Sequence, residues 1–170
     1  MLRSWSLFTG PVRSALHHLK YRRNMGLGEA LAIPFARFVR SLEWPVDAVI
    51  PIPLSPKRYQ ERGYNQVALV AYPLALHLHL PYLGRALRRT RETRSQVGLS
   101  AQERRQNVQN AFEAQDGLVQ GKRILLVDDV ATTGSTLSSA SEALLSAGAM
   151  AVYAVTLARA IYLSGGTYDA

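Results

Sequence analysis

The sequence predicts an α/β fold, a central and mostly parallel sheet flanked by helices. Three observations carry this. Short apolar runs recur within residues 47–54, 124–127 and 150–157, nearly unbroken, as in strands buried on both faces of a parallel sheet. Between them lie stretches with apolar residues at helical spacing, such as Val67, Val70, Leu74 and Leu78. The run at 124–127 leads directly into Asp128 and Asp129, then into a loop of small hydroxyl residues that opens a helix. Strand, acids, loop and helix in that order place a ligand site at the carboxyl end of a strand, where open α/β sheets hold their ligands.

Length and composition set the frame. A chain of 170 residues with 48% hydrophobic content supports one domain with a substantial core. We expect an N-terminal helical hood over residues 1–44, a core over 45–160 and a tail over 161–170. Cysteine is absent, which excludes disulfides and cysteine zinc sites. The apolar run at the N-terminus is too short for a signal peptide, and no window approaches a membrane span, so the expected location is cytoplasmic. The net charge of +8 is concentrated: residues 54–105 carry ten Lys/Arg against three acids. Such a segment suits a polyanion, whether pyrophosphate, nucleotide or nucleic acid.

Along the chain, residues 11–21 read as a short amphipathic helix with Pro11 suited to its first turn. A second helix is expected over 27–42, with Leu31, Phe35, Phe38 and Val39 on one face and Pro34 as a kink or a late start. The first core strand follows at 47–54, where Pro51 and Pro53 cannot donate to a ladder and turn the chain out of the sheet. Lys57, Arg58 and Arg62 come next, three cations in six residues. Asn65 caps a helix over 65–79, with Tyr64 packing beneath it. Residues 81–89 read as a second core strand through Leu83 and Leu87. Residues 90–99 are too polar for a core element and too basic for an inert linker, and read as a flexible loop over the site. Ser100 and Glu103 form a capping box for a short helix to Asn107. A short strand at 111–113 and turns at Gly117 and Gly121 lead to the central strand. After it, a helix over 135–147 turns Leu137, Ala140, Leu144 and Leu145 to the sheet and ends at Gly148. Residues 150–157 form the last strand.

The chemistry sits at residues 124–136. Asp128 and Asp129 can accept hydrogen bonds from vicinal hydroxyls, or hold a metal through water. Ala131, Thr132, Thr133, Gly134, Ser135 and Thr136 offer backbone N–H groups, hydroxyls and the positive end of a helix, which together cradle a phosphate. A sugar with hydroxyls at one end and a phosphate at the other meets both halves. As a plain strand–turn–helix, the same two acids would be costly to bury without a ligand.

This stretch resembles the PRPP-binding motif of type I phosphoribosyltransferases. The Pro-Ile-Pro-Leu run ending at Leu54, the Arg-Gly-Tyr-Asn-Gln block at 62–66, and Arg89, Arg91 and Gln96 narrow the resemblance to the ComF family, phosphoribosyltransferase-like proteins linked to DNA uptake in competent bacteria. ComF chains commonly carry a cysteine-rich zinc module before these helices, and this chain has no cysteine. The resemblance implies the type I phosphoribosyltransferase fold, with Asp128 and Asp129 on the ribose hydroxyls and as catalytic residues. It implies residues 131–136 on the 5′-phosphate, Lys57, Arg58 and Arg62 on the pyrophosphate, and Arg89 or Arg91 closing from the loop. It further implies Mg²⁺ carried by PRPP near the two acids, an acceptor of unknown identity, and a homodimer as a candidate assembly. Two functions stay open on that fold. One is a Mg²⁺-dependent phosphoribosyltransferase that releases pyrophosphate. The other is a non-catalytic module, binding single-stranded DNA or competence proteins or regulating, with Tyr59, Tyr64, Tyr72 and Tyr82 either stacking on bases or packing internally.

Overall fold

The structure is a computed structural model and describes residues 1–22, 24–90, 111–115 and 117–160. Four parallel strands form its sheet: β1 (Leu2–Leu7), β2 (Ala48–Pro51), β5 (Arg123–Ala131) and β6 (Ala151–Arg159), in the order β1-β6-β5-β2. Residues beside β2 extend it, since Val49 donates to Pro81 O and Leu83 donates to Val49 O, both at 2.9 Å. A separate antiparallel ribbon joins β3 (Leu87–Arg89) to β4 (Phe112–Ala114). The expected second core strand at 81–89 is therefore two pieces, one bridge on the main sheet and one strand of the ribbon. The turn at Gly84 and Arg85, closed by Ala86 N–H on Leu83 O, divides them.

Both faces of the sheet are covered, as a parallel sheet requires. On one face, Leu125 and Val127 of β5 pack with Leu16 and Leu19 of α1 (Gly10–Tyr21), Phe35 and Val39 of α2 (Met25–Ser41), and Val70 and Leu74 of α4 (Gln66–Leu78). On the other, Ile124 and Leu126 pack with Leu137, Ala140 and Leu144 of α5 (Ser135–Ser146), and with Leu87 and Phe112 of the ribbon. Odd and even residues of β5 thus serve opposite layers, as strand pleating dictates.

Several local expectations are realised. Asn65 Oδ1 accepts from Val67 N–H at 3.0 Å and caps α4. Helix α2 runs through Pro34, with Asn24 capping it through Leu27 N–H. Gly148 ends α5 at φ +90°, a conformation that favours glycine. Three features differ. Strand β1 was not expected; it lies on the sheet edge, paired in parallel with β6. Helices α1 and α2 share the sheet's main core instead of building one of their own. Leu145 faces outward and is exposed, while Leu144 takes the sheet-facing place. The expected loop beyond Thr90, the capping box at Ser100 and the following helix lie outside the described residues, as does the tail over 161–170.

Candidate functional site

Strand β5 carries the acid pair deeper than the apolar run alone implies. It continues to Ala131, and Asp128 is in register with Thr156 of β6. Both acids are buried, each 8% exposed. Asp128 falls on the α5 side of the sheet with Ile124 and Leu126, and Asp129 on the side of α1 and α4 with Leu125 and Val127. Each carboxylate accepts from the next backbone N–H: Asp128 Oδ1 from Asp129, and Asp129 Oδ1 from Val130, both at 2.8 Å.

Two side chains meet Asp129 from distant parts of the chain. Gln66 Nε2, at the start of α4, donates to Asp129 Oδ2 at 3.0 Å. Lys20 Nζ, on the last turn of α1, stands 3.0 Å from the same oxygen. Gln66 also accepts from Arg62 Nη1 at 2.5 Å through its amide oxygen. The Arg62 guanidinium in turn lies 5.6 Å from the centre of the Tyr21 ring, within cation–π range. The result is a continuous chain from Lys20 through Asp129 and Gln66 to Arg62.

These contacts split the pair electrostatically. Burial, reinforced by the neighbouring Asp129 charge, pushes the Asp128 carboxyl well above the usual carboxylate range. Burial acts on Asp129 too, but the Lys20 charge and the hydrogen bonds from Gln66, Lys20 and Val130 outweigh it and hold its carboxyl below that range. One acid favours the proton and the other the charge, so the two can play different parts toward a diol.

The neighbouring segments are fixed against β5. Ile52 N–H donates to Val127 O at 2.8 Å, which seats the exit from β2 beside the central strand. Asn65 Nδ2 donates to Ile52 O at 2.9 Å, tying that exit to the start of α4. Ser55 then caps the short α3 (Pro56–Arg62) through Arg58 N–H. Arg62 closes α3 and reaches the acid network, whereas the side chains of Lys57 and Arg58 are exposed on the helix. Beyond β5, Gly134 takes φ +79° and turns the chain into α5. Thr133 and Ser135 hydroxyls lie 2.7 Å apart inside this turn, and Ser135 is buried. Thr132, Thr133, Gly134, Ser135 and Thr136 thus wrap the positive end of a twelve-residue helix. Arg89 ends β3 with its guanidinium 5.4 Å from the centre of the Phe112 ring, and Arg91 lies outside the described residues.

Sequence reasoning missed Lys20 and Gln66. Gln66 was visible as the last residue of the Arg-Gly-Tyr-Asn-Gln block, four residues after Arg62 and so on the same side of a helical turn. Lys20 carried no signal beyond a cluster of cations at a helix end.

Comparison with known proteins agrees with this geometry. The phosphoribosyl transferase domain family matches residues 65–162. The DNA utilization protein YhgH of Escherichia coli K12 is 36% identical over 160 residues, covering 91% of this chain and 70% of that protein. Competence protein F of Haemophilus influenzae is 41% identical over 132 residues, covering 76% of this chain and 57% of that one. The chain belongs to the ComF family. Among solved structures, the glutamine phosphoribosylpyrophosphate (PRPP) amidotransferase of B. subtilis superposes with a TM-score of 0.50 at 25% identity. That match covers 83% of the ComF chain and 26% of the amidotransferase, so only the shared domain is compared. The fold is that of the type I phosphoribosyltransferases, and the ComF acid pair sits at the carboxyl half of its central strand. Among the described residues, no helix is long and apolar enough to cross a membrane.

Proposed function

We propose that this ComF-family chain binds PRPP at the carboxyl end of β5 and transfers its phosphoribosyl group to an acceptor, releasing pyrophosphate. The observation that carries the reading is the acid pair buried one loop away from the start of α5, with Asp129 held ionised between Lys20 and Gln66. In this reading Asp129 accepts from a ribose hydroxyl, while Asp128, which favours its proton, can donate to or accept from the neighbouring one. Residues 131–136 receive the 5′-phosphate, and Arg62 is the pyrophosphate cation best anchored to the acids, with Lys57 and Arg58 on the same helix. Displacement at ribose C1 through cation-like character asks the protein mainly for positioning and electrostatics.

Among the described residues, no group of three or more His, Cys, Asp or Glu gathers to hold a metal. The donor set at the site is the acid pair. That set suits Mg²⁺ held chiefly by the ligand's own oxygens and water, with Asp128 and Asp129 orienting it through the shell. Its chemistry there would be to neutralise the leaving pyrophosphate.

The test is calorimetric titration of PRPP with Mg²⁺ into the protein, followed by a pyrophosphate-release screen over candidate acceptors. Saturable binding supports the site, and release with one acceptor supports catalysis. No heat and no protection from unfolding would sink the reading.

A second reading is favoured by a specific surface. Lys57, Arg58 and Tyr59 are exposed together on α3, and Tyr21 is exposed where Arg62 lies over its ring. The relatives' names, DNA utilization protein and competence protein, tie such a surface to single-stranded DNA handled during uptake in the cytoplasm. Other tyrosines are used internally: Tyr64 donates to Leu19 O at 2.8 Å, and Tyr82 packs against the main core, where burial pushes its hydroxyl up to about 12. DNA binding with a steep salt dependence, unchanged by loss of both acids, supports this reading over the first.

A further inference from the structure

Asp129 has more donors than a sugar-binding carboxylate can keep. Its Oδ2 faces Lys20 Nζ and Gln66 Nε2, each at 3.0 Å, and its Oδ1 accepts from Val130 N–H at 2.8 Å. An ionised carboxylate offers about four acceptor positions in all. Three are therefore taken, and two vicinal hydroxyls donating to Asp129 would displace at least one occupant. Val130 N–H is backbone and cannot leave. Gln66 is buried, and its amide oxygen is tied to Arg62. Lys20 is the occupant able to leave: its side chain is 27% exposed, on a flexible four-carbon stem.

Displacement strands a charge. With Asp129 given over to a diol, Lys20 and Arg62 are two cations on either side of Gln66, with Tyr21 beneath Arg62. A neutral or singly phosphorylated sugar gives Lys20 no new partner near its old one. A sugar with pyrophosphate beside the diol does.

We propose that Lys20 is a specificity-determining residue that exchanges Asp129 for the pyrophosphate of the incoming ligand, so that the site selects 1-pyrophosphorylated ribose 5-phosphate over ribose 5-phosphate. This rests on the phosphoribosyl reading of the site. Lys20 acts against the simple sugar as a competitor for Asp129 and in favour of the pyrophosphorylated one as a ligand.

The experiment compares PRPP and ribose 5-phosphate, each titrated with Mg²⁺ into the wild-type chain and the Lys20→Met variant. The variant should bind ribose 5-phosphate more tightly and PRPP more weakly, lowering the affinity ratio by about tenfold or more, equivalent to about 1.4 kcal/mol. A smaller fall overturns the exchange while leaving the site reading intact. If the wild-type chain binds neither ligand, the site reading fails and the exchange fails with it. Should Lys20→Met not fold, as its thermal midpoint would show, Lys20→Gln keeps a donor for Asp129 without the charge, and the same ratio is read on it.

Discussion

Gln66 Nε2 donates to Asp129 Oδ2 at 3.0 Å across 63 positions of sequence, and its other amide atom holds Arg62. One neutral side chain therefore sets the spacing between the ribose-binding acid and the cation assigned to pyrophosphate. Gln66→Leu keeps the volume and removes both bonds. It should lower stability by about 1–3 kcal/mol, because a buried charge loses a donor, and it should weaken PRPP binding. Urea denaturation and calorimetry on the same variant check both. A variant as stable and as tight as wild type would show that the bridge is idle.

Asp128 is disfavoured as an anion by burial and by Asp129 beside it. Asp128→Asn keeps the shape and removes the charge. The expected outcome at neutral pH is a higher thermal midpoint with weaker ligand binding, a site that trades stability for function. A lower midpoint would contradict the electrostatic reading.

At the opposite end of the sheet, Asp47 is gripped by Arg123 through its backbone N–H at 2.8 Å and its guanidinium at 2.9 and 2.6 Å. The side-chain hydrogen bond to Arg123 is the chief cause that holds the Asp47 carboxyl far below its usual range. A depressed folded value means the unfolded chain binds the proton first. Stability from this group is thus present above the unfolded value of about 3.9 and is lost as pH falls through the folded one. Asp47→Asn should lower stability at neutral pH and flatten its decline below about pH 4. Denaturant midpoints across that window, in both proteins, measure it.

Gly134 holds φ +79° where β5 gives way to α5, and a Cβ there would meet Leu2 Cδ2 at an ordinary 3.6 Å. The penalty of Gly134→Ala is then backbone strain alone, about 1–2 kcal/mol. We expect that loss in unfolding experiments, together with weaker binding of inorganic phosphate. An alanine variant that keeps both would mean that the loop tolerates another path.

How much of this was legible in the sequence depended on distance along the chain. Asp128, Asp129 and residues 131–136 are contiguous, so their arrangement follows from local rules of strand, turn and helix start. Lys20 and Gln66 reach Asp129 only once α1 and α4 have packed on one face of the sheet, and no local pattern records that. Strand β1 escaped because an edge strand with Arg3, Ser4 and Ser6 lacks the unbroken apolar run of the inner strands; Ser4 instead bonds the Thr156 hydroxyl at 2.7 Å. Residues 81–89 read as one strand because Leu83 and Leu87 share a spacing, while the intervening turn sends them to different sheets.

The central claim, that the end of β5 is a sugar-phosphate site, is tested most directly by titrating PRPP with Mg²⁺ into wild-type protein and into the Asp128→Asn/Asp129→Asn double variant. The account predicts saturable binding to the wild type and none to the folded double variant. Equal binding by both proteins would contradict it.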